Sequence, residues 1–205
     1  MNWLIEDLPE SVVVNGREYP VNSGFRAMLL IDMLMHDREL NDQEKMVQAL
    51  DVFYRENIPE DAGEAAKQMI WFQRCGEMPK KKTAAKKLRK KANRALDYEK
   101  DSKYIFADFF SIYGIRLTDS AVKLHWWEFS AMLECLPEKC RICKIMYYRT
   151  ADTRGMGKEQ KKFIQKMKEL YKLEDEVCTE DCMTLAERNR AMIAYVNQRY
   201  KDAGR

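Results

Sequence analysis

The stretch Asp97–Phe129, DYEKDSKYIFADFFSIYGIRLTDSAVKLHWWEF, decides how this chain is read. It opens on the alternating acids Asp97, Glu99 and Asp101, runs through closely spaced aromatics and closes on His125, Trp126 and Trp127. Acids so spaced begin a calcium loop, but such a loop needs a glycine at its sixth position and a bidentate glutamate at its twelfth. Ser102 and Asp108 stand there. The acids are therefore read as the approach to a helix, whose exposed N–H groups and positive dipole end favour carboxylates.

Apolar spacing predicts a helix from about Asp101 to Tyr113, with Gly114 as its C-terminal cap. A second is predicted from Thr118 or Asp119 to Leu136, halted by Pro137. On that helix His125 precedes Glu128 by one turn, which makes it a structural histidine with a hydrogen-bond partner. Trp126 and Trp127 are adjacent, so on a helix they point about 100° apart. One is expected in the core. The other must meet a second element or a partner, so this pair supplies the candidate partner-binding residues.

Outward from this stretch the pattern stays helical. The 205 residues include 8 Gly and 5 Pro, few for a turn-rich β fold. With 46% hydrophobic and 34% charged residues, the composition is that of a globular chain with a charged surface. Ser11–Val21 reads as a β-hairpin turning on Asn15-Gly16, the one strong strand signal. Asn22-Ser23 precedes a helix from about Phe25, Asn41-Asp42 a second, and a third spans Asp61 to Arg74, ended by Gly76. Further helices are predicted over Lys139–Tyr148, after Gly157 with the stripe Phe163, Ile164, Met167, Leu170 and Tyr171, and from Thr184 to about Tyr200. The fold class is mainly α, a multi-helix bundle with a small N-terminal β-hairpin. The expected organisation is a hairpin with helices over 1–79, a basic linker over 80–96 and a helical domain over 97–205.

The basic linker carries the sharpest charge asymmetry. Lys80, Lys81, Lys82, Lys86, Lys87, Arg89, Lys90, Lys91 and Arg94 are nine bases with no acid between them. The whole chain is +3, so the rest of it is −6. Such a run neutralises phosphates without reading sequence, which makes these residues the candidates for nucleic-acid binding. No aromatic is interleaved to stack on bases, and a solvated linker is the simpler reading.

Cysteines offer the other chemical candidate. Cys140 and Cys143, with Cys178 and Cys182, have enough thiolates for a zinc site. The first pair sits in an amphipathic helix with Ile142, Ile145 and Met146, and neither pair has a glycine-containing knuckle, so no metal or other cofactor is expected. Phosphate-loop, nucleophile-elbow and paired-histidine metalloprotease motifs are lacking, and the expectation is a protein that is not an enzyme. No apolar run approaches the roughly 18–20 residues of a membrane span. The N-terminus lacks a basic region followed by an apolar core, so a cytosolic protein is expected.

Several of these residues also form a recognisable series. Asp97-Tyr-Glu-Lys-Asp101, Tyr104-Ile-Phe-Ala107, Tyr113-Gly-Ile115, Leu117-Thr118, Leu124-His-Trp-Trp127, Phe129, Ile145-Met146 and Arg149 occur in one order. Leu8-Pro9, the Val-Asn-Gly hairpin and Ser23-Gly-Phe25-Arg26 precede them. This series resembles the bacteriophage "gp fifteen" protein family over nearly the whole chain. The resemblance implies a tail-gene-region protein of phages and prophages of Gram-positive bacteria, and a role in tail assembly. A chaperone of that kind would bind the tape-measure protein, and the tail-tube protein as a further partner. It would act in the host bacterial cytoplasm and be absent from the mature virion. The alternatives are a nucleic-acid-associated phage protein using 80–94 and a structural tail or connector component. A homo-oligomer is compatible with each.

Overall fold

A computed structural model of the chain describes residues 2–77 and 94–173. Among the described residues are one two-stranded sheet and seven helices, so the protein is mainly α with an N-terminal hairpin. Strands β1 (Ser11–Val14) and β2 (Arg17–Pro20) pair antiparallel, with Val14 opposite Arg17. Asn15 and Gly16 take φ of 50° and 80°, the two positive values that a type I′ turn requires. Side chains alternate as the pleat demands: Val12 and Val14 are buried and Val13 is exposed.

Three helices follow: α1 (Phe25–His36), α2 (Asp42–Tyr54) and α3 (Ala62–Gln73). Asn41 caps α2 by accepting from the Gln43 and Glu44 N–H groups, and the Glu44 carboxylate accepts from the Asn41 N–H in return. Asp61 caps α3 by accepting from the Glu64 N–H at 3.0 Å. The start of α1 departs from the expected Asn22-Ser23 cap. Its N-cap is Gly24 with no side-chain bond. Instead the Phe25 N–H donates to the Leu124 carbonyl at 3.0 Å and the Trp126 N–H donates to the Ser23 carbonyl at 2.8 Å. Two distant helix starts thus hold each other through backbone.

The remaining helices are α4 (Ser102–Tyr113), α5 (Trp126–Glu134), α6 (Arg141–Thr150) and α7 (Lys158–Leu170). Gly114 ends α4 in the left-handed conformation, φ 70°, as the sequence predicts. Helix α5 is the main correction, since it begins at Trp126 and not at 118 or 119. The segment ahead of it is held open by Arg26. Its guanidinium donates to the carbonyls of Val122 and Leu117, both at 2.9 Å, and of Asp119 at 2.6 Å. A helix through 118–125 would use such carbonyls in its own ladder. His125 therefore stands at the N-cap and not one turn inside a helix.

Phe25, Met28, Ile31, Phe53, Met69 and Phe72 pack in one core with Phe109, Trp126, Trp127, Phe129 and Ile142. Residues from before and after the basic segment therefore share a single buried interior. Phe129 is its hub, stacked on Phe25 at 5.2 Å and Phe109 at 5.0 Å between ring centroids. The predicted helix over 184–200 and the bases from Lys80 to Lys91 lie outside the described residues.

Candidate functional site

The tryptophan pair sits where α5 meets the end of α3. Both rings are buried, Trp126 at 4% exposure and Trp127 at 1%, so neither offers the surface expected of a partner-binding residue. The reason is the last turn of α3, whose carbonyls have no partner within the helix. The Trp126 Nε1–H donates to the Gln73 carbonyl and the Trp127 Nε1–H to the Phe72 carbonyl, each at 2.9 Å. Adjacent indoles thereby meet adjacent carbonyls at the end of α3, the Phe72 one shared with the Cys75 N–H at 3.0 Å, so the second element that one ring was expected to meet is met by both.

His125 completes the junction. Its Nδ1 accepts from the Trp127 N–H at 3.1 Å, so the ring proton lies on Nε2 and points to the Pro9 carbonyl at 3.0 Å. The Glu128 carboxylate accepts from the His125 N–H at 3.0 Å, closing a capping box. Both ring nitrogens are engaged in holding structure. Gly76, at φ 85°, makes the close approach possible, because a Cβ there would stand 3.1 Å from the Trp127 ring.

Over the outer side of Trp127 lies Trp3, stacked at 5.5 Å and 25° between planes. The turn it anchors is closed by the Asn2 carbonyl, which accepts from the Ile5 and Glu6 N–H groups. Leu4 is 94% exposed and Ile5 81%. Two large apolar side chains are thus presented outward beside Trp3, itself 41% exposed, which rests on the buried Trp127 ring.

A second junction was not foreseen. Asp101 and Arg149, both buried, form a bidentate ion pair at 2.5 and 2.9 Å. Arg149 also donates to the Ala95 carbonyl at 3.0 Å and the Tyr171 carbonyl at 2.6 Å. Asp101 further accepts from the Asp97 N–H at 3.0 Å. The expected role of Asp101 as a helix-start acid is corrected: it makes no side-chain cap bond to α4, and its charge goes to Arg149. Asp97 keeps a turn role, accepting from the Glu99 and Lys100 N–H groups.

Of the nucleic-acid candidates, Arg94 is described, and it is engaged. Its guanidinium pairs with Asp32 at 2.8 Å and Asp97 at 3.0 Å. Burial raises the Asp32 carboxyl above its ordinary range, partly offset by His36 and Arg94. Lys80, Lys81, Lys82, Lys86, Lys87, Arg89, Lys90 and Lys91 fall outside the described residues, as do Cys178 and Cys182. Cys140 is buried and Cys143 half-buried, with the Cys143 thiol directed at the Leu136 carbonyl. Burial pushes both thiols up, away from the thiolate that metal binding or nucleophilic attack requires. Among the described residues no three His, Cys, Asp or Glu side chains are grouped to hold a metal. Nor is any helix there long and apolar enough to cross a membrane.

The arrangement is that of a mainly helical protein in which His125, Asp101 and Arg149 are tied to packing. Its family is clear: residues 4–173 match the family described as Bacteriophage Gp15 protein, and the chain belongs to it. No curated protein and no solved structure matches the chain.

Proposed function

We propose that this phage protein works without catalysis in tail morphogenesis, as an assembly chaperone that binds the tape-measure protein in the host cytoplasm. Family membership supports a phage role. The observation that carries the binding role is the Leu4-Ile5 turn, two exposed apolar side chains fixed in place by the Trp3–Trp127 stack. Such a turn offers an amphipathic client helix an apolar contact whose ordering cost is already met by the frame. Polar groups that elsewhere make chemistry are engaged in holding structure here: His125 by two backbone groups, Arg149 and Asp101 by each other.

Co-expression with the tape-measure protein of the same phage tests this. The expected outcome is more soluble client, co-purifying with the protein, and loss of both with a Leu4→Ser/Ile5→Ser double variant. Client solubility that is the same with and without the protein would overturn the reading. Mass spectrometry of purified virions separates a chaperone, expected to be missing, from a structural tail component.

A further inference from the structure

The outer face of α6 and α7 is apolar where a solvent-facing helix surface is expected to be polar. On α7, Ile164 is buried, whereas Phe163 at 51% and Leu170 at 65% exposure stand in the open. Seven residues apart, they share one stripe with Met167 between them. Across the helix pair, Tyr148 meets Phe163 at 6.0 Å in an edge-on contact, and the exposed Tyr147 lies beside Tyr148. The face is therefore Tyr147, Tyr148, Phe163, Met167 and Leu170. It is also basic at its margin, because α7 carries five lysines against two glutamates.

We propose that this face is the docking surface for the chain's own C-terminal segment, residues 184–200. Three observations select that occupant. The chain leaves the described region directly beside the face: Tyr171 is held by Arg149 at its carbonyl and by Arg141 at its hydroxyl, and stacks on Tyr148 at 6.2 Å. The sequence beyond has the matching pattern. Leu185, Met192 and Val196 fall on one helical stripe with Ile193 at its edge. Charge is complementary as well: Glu174, Asp175, Glu176, Glu180 and Asp181 put five acids and no base into 174–183, the part that must pass the lysines of α7. Reach is ample, since ten connecting residues span up to about 33 Å while α7 is about 20 Å long. The proposal is independent of tape-measure binding, which was argued from the Leu4-Ile5 turn.

Hydrogen–deuterium exchange of the full chain, read by mass spectrometry, tests it. Amides of 184–200 are expected to be protected, and a Phe163→Ser/Leu170→Ser double variant should raise their exchange about tenfold while leaving α1 to α3 unchanged. Both side chains are already exposed, so the substitution does not disturb the core. Val47→Ser, an exposed apolar change on α2, should leave 184–200 as protected as before. Three results would each overturn the proposal. One is unprotected 184–200 amides in the unaltered chain. Another is protection that the α7 variant does not change, or that Val47→Ser removes equally. The last is protection of 184–200 that rises with protein concentration, which would make the occupant a second copy.

Discussion

The Trp126–Trp127 junction and the Arg149–Asp101 junction each fasten parts of the chain far apart in sequence, but by opposite chemistry. The first uses neutral aromatics whose N–H groups meet carbonyls in the last turn of α3. Most of its stabilisation is apolar burial, and each hydrogen bond adds only about 1 kcal/mol net. The second takes a full charge pair out of water, and it holds only because every partner is in place. Its guanidinium serves a carboxylate and two backbone carbonyls together. The aromatic junction should tolerate partial loss, and the charged one should not.

That contrast can be broken most severely at Arg149. Arg149→Met keeps much of the volume but strands a buried carboxylate, and about 3–5 kcal/mol of stability should be lost in urea unfolding. Adding Asp101→Leu should recover most of that loss, since an apolar pair no longer carries the desolvation cost. A double variant as unstable as the single one would show that the two backbone bonds of Arg149, and not its charge partner, dominate the junction.

Trp127→Phe probes the other side. It removes the indole donor to the Phe72 carbonyl, leaving that oxygen to the Cys75 N–H, and removes ring area, and should cost about 1–3 kcal/mol in the same measurement. Gly76→Ala attacks that ring from outside. It places a Cβ in a left-handed backbone and 3.1 Å from the indole, and should cost about 1–2 kcal/mol. If Gly76→Ala were neutral, the close approach to Trp127 would not be what requires glycine there.

The smallest effect concerns a helix cap. The Glu64 N–H bond holds the Asp61 carboxyl below its ordinary value. A depressed folded value means the cap contributes fully above the ordinary carboxylate range and is lost as pH falls through the depressed value. The Glu64 amide resonance should therefore shift on acidification from about pH 5 to about pH 2, with a midpoint below that of an ordinary aspartate.

Local signals were legible in the sequence wherever neighbours decide the outcome. Asn15-Gly16 marks its turn, Asn41 and Asp61 their helix starts and Gly114 a helix end, each through side-chain or backbone geometry within a few residues. What the sequence concealed depends on distant partners. Thr118–His125 has a helix-compatible pattern, and its carbonyls are taken up by Phe25 and Arg26, more than ninety residues away. Trp126 and Trp127 look divided between core and surface until α3 supplies two acceptors. Arg149 gives no local hint of Asp101, which lies 48 residues earlier. For the candidate site, the sequence left open whether the second tryptophan meets another element or a partner, and the α3 carbonyls that both indoles meet show only in the fold. Nothing marked the Leu4-Ile5 turn, because its exposure follows from where Trp3 stacks.

In the proposed function the buried junctions support the protein while its exposed apolar turn does the binding. Co-expression with the tape-measure protein separates the two roles when Leu4→Ser/Ile5→Ser is compared with the buried-pair variant Arg149→Met/Asp101→Leu at a temperature where both are folded. The surface variant is expected to lose the ability to keep the client soluble, and the core variant to retain it. A surface variant that protects the client as well as the unaltered chain would contradict it.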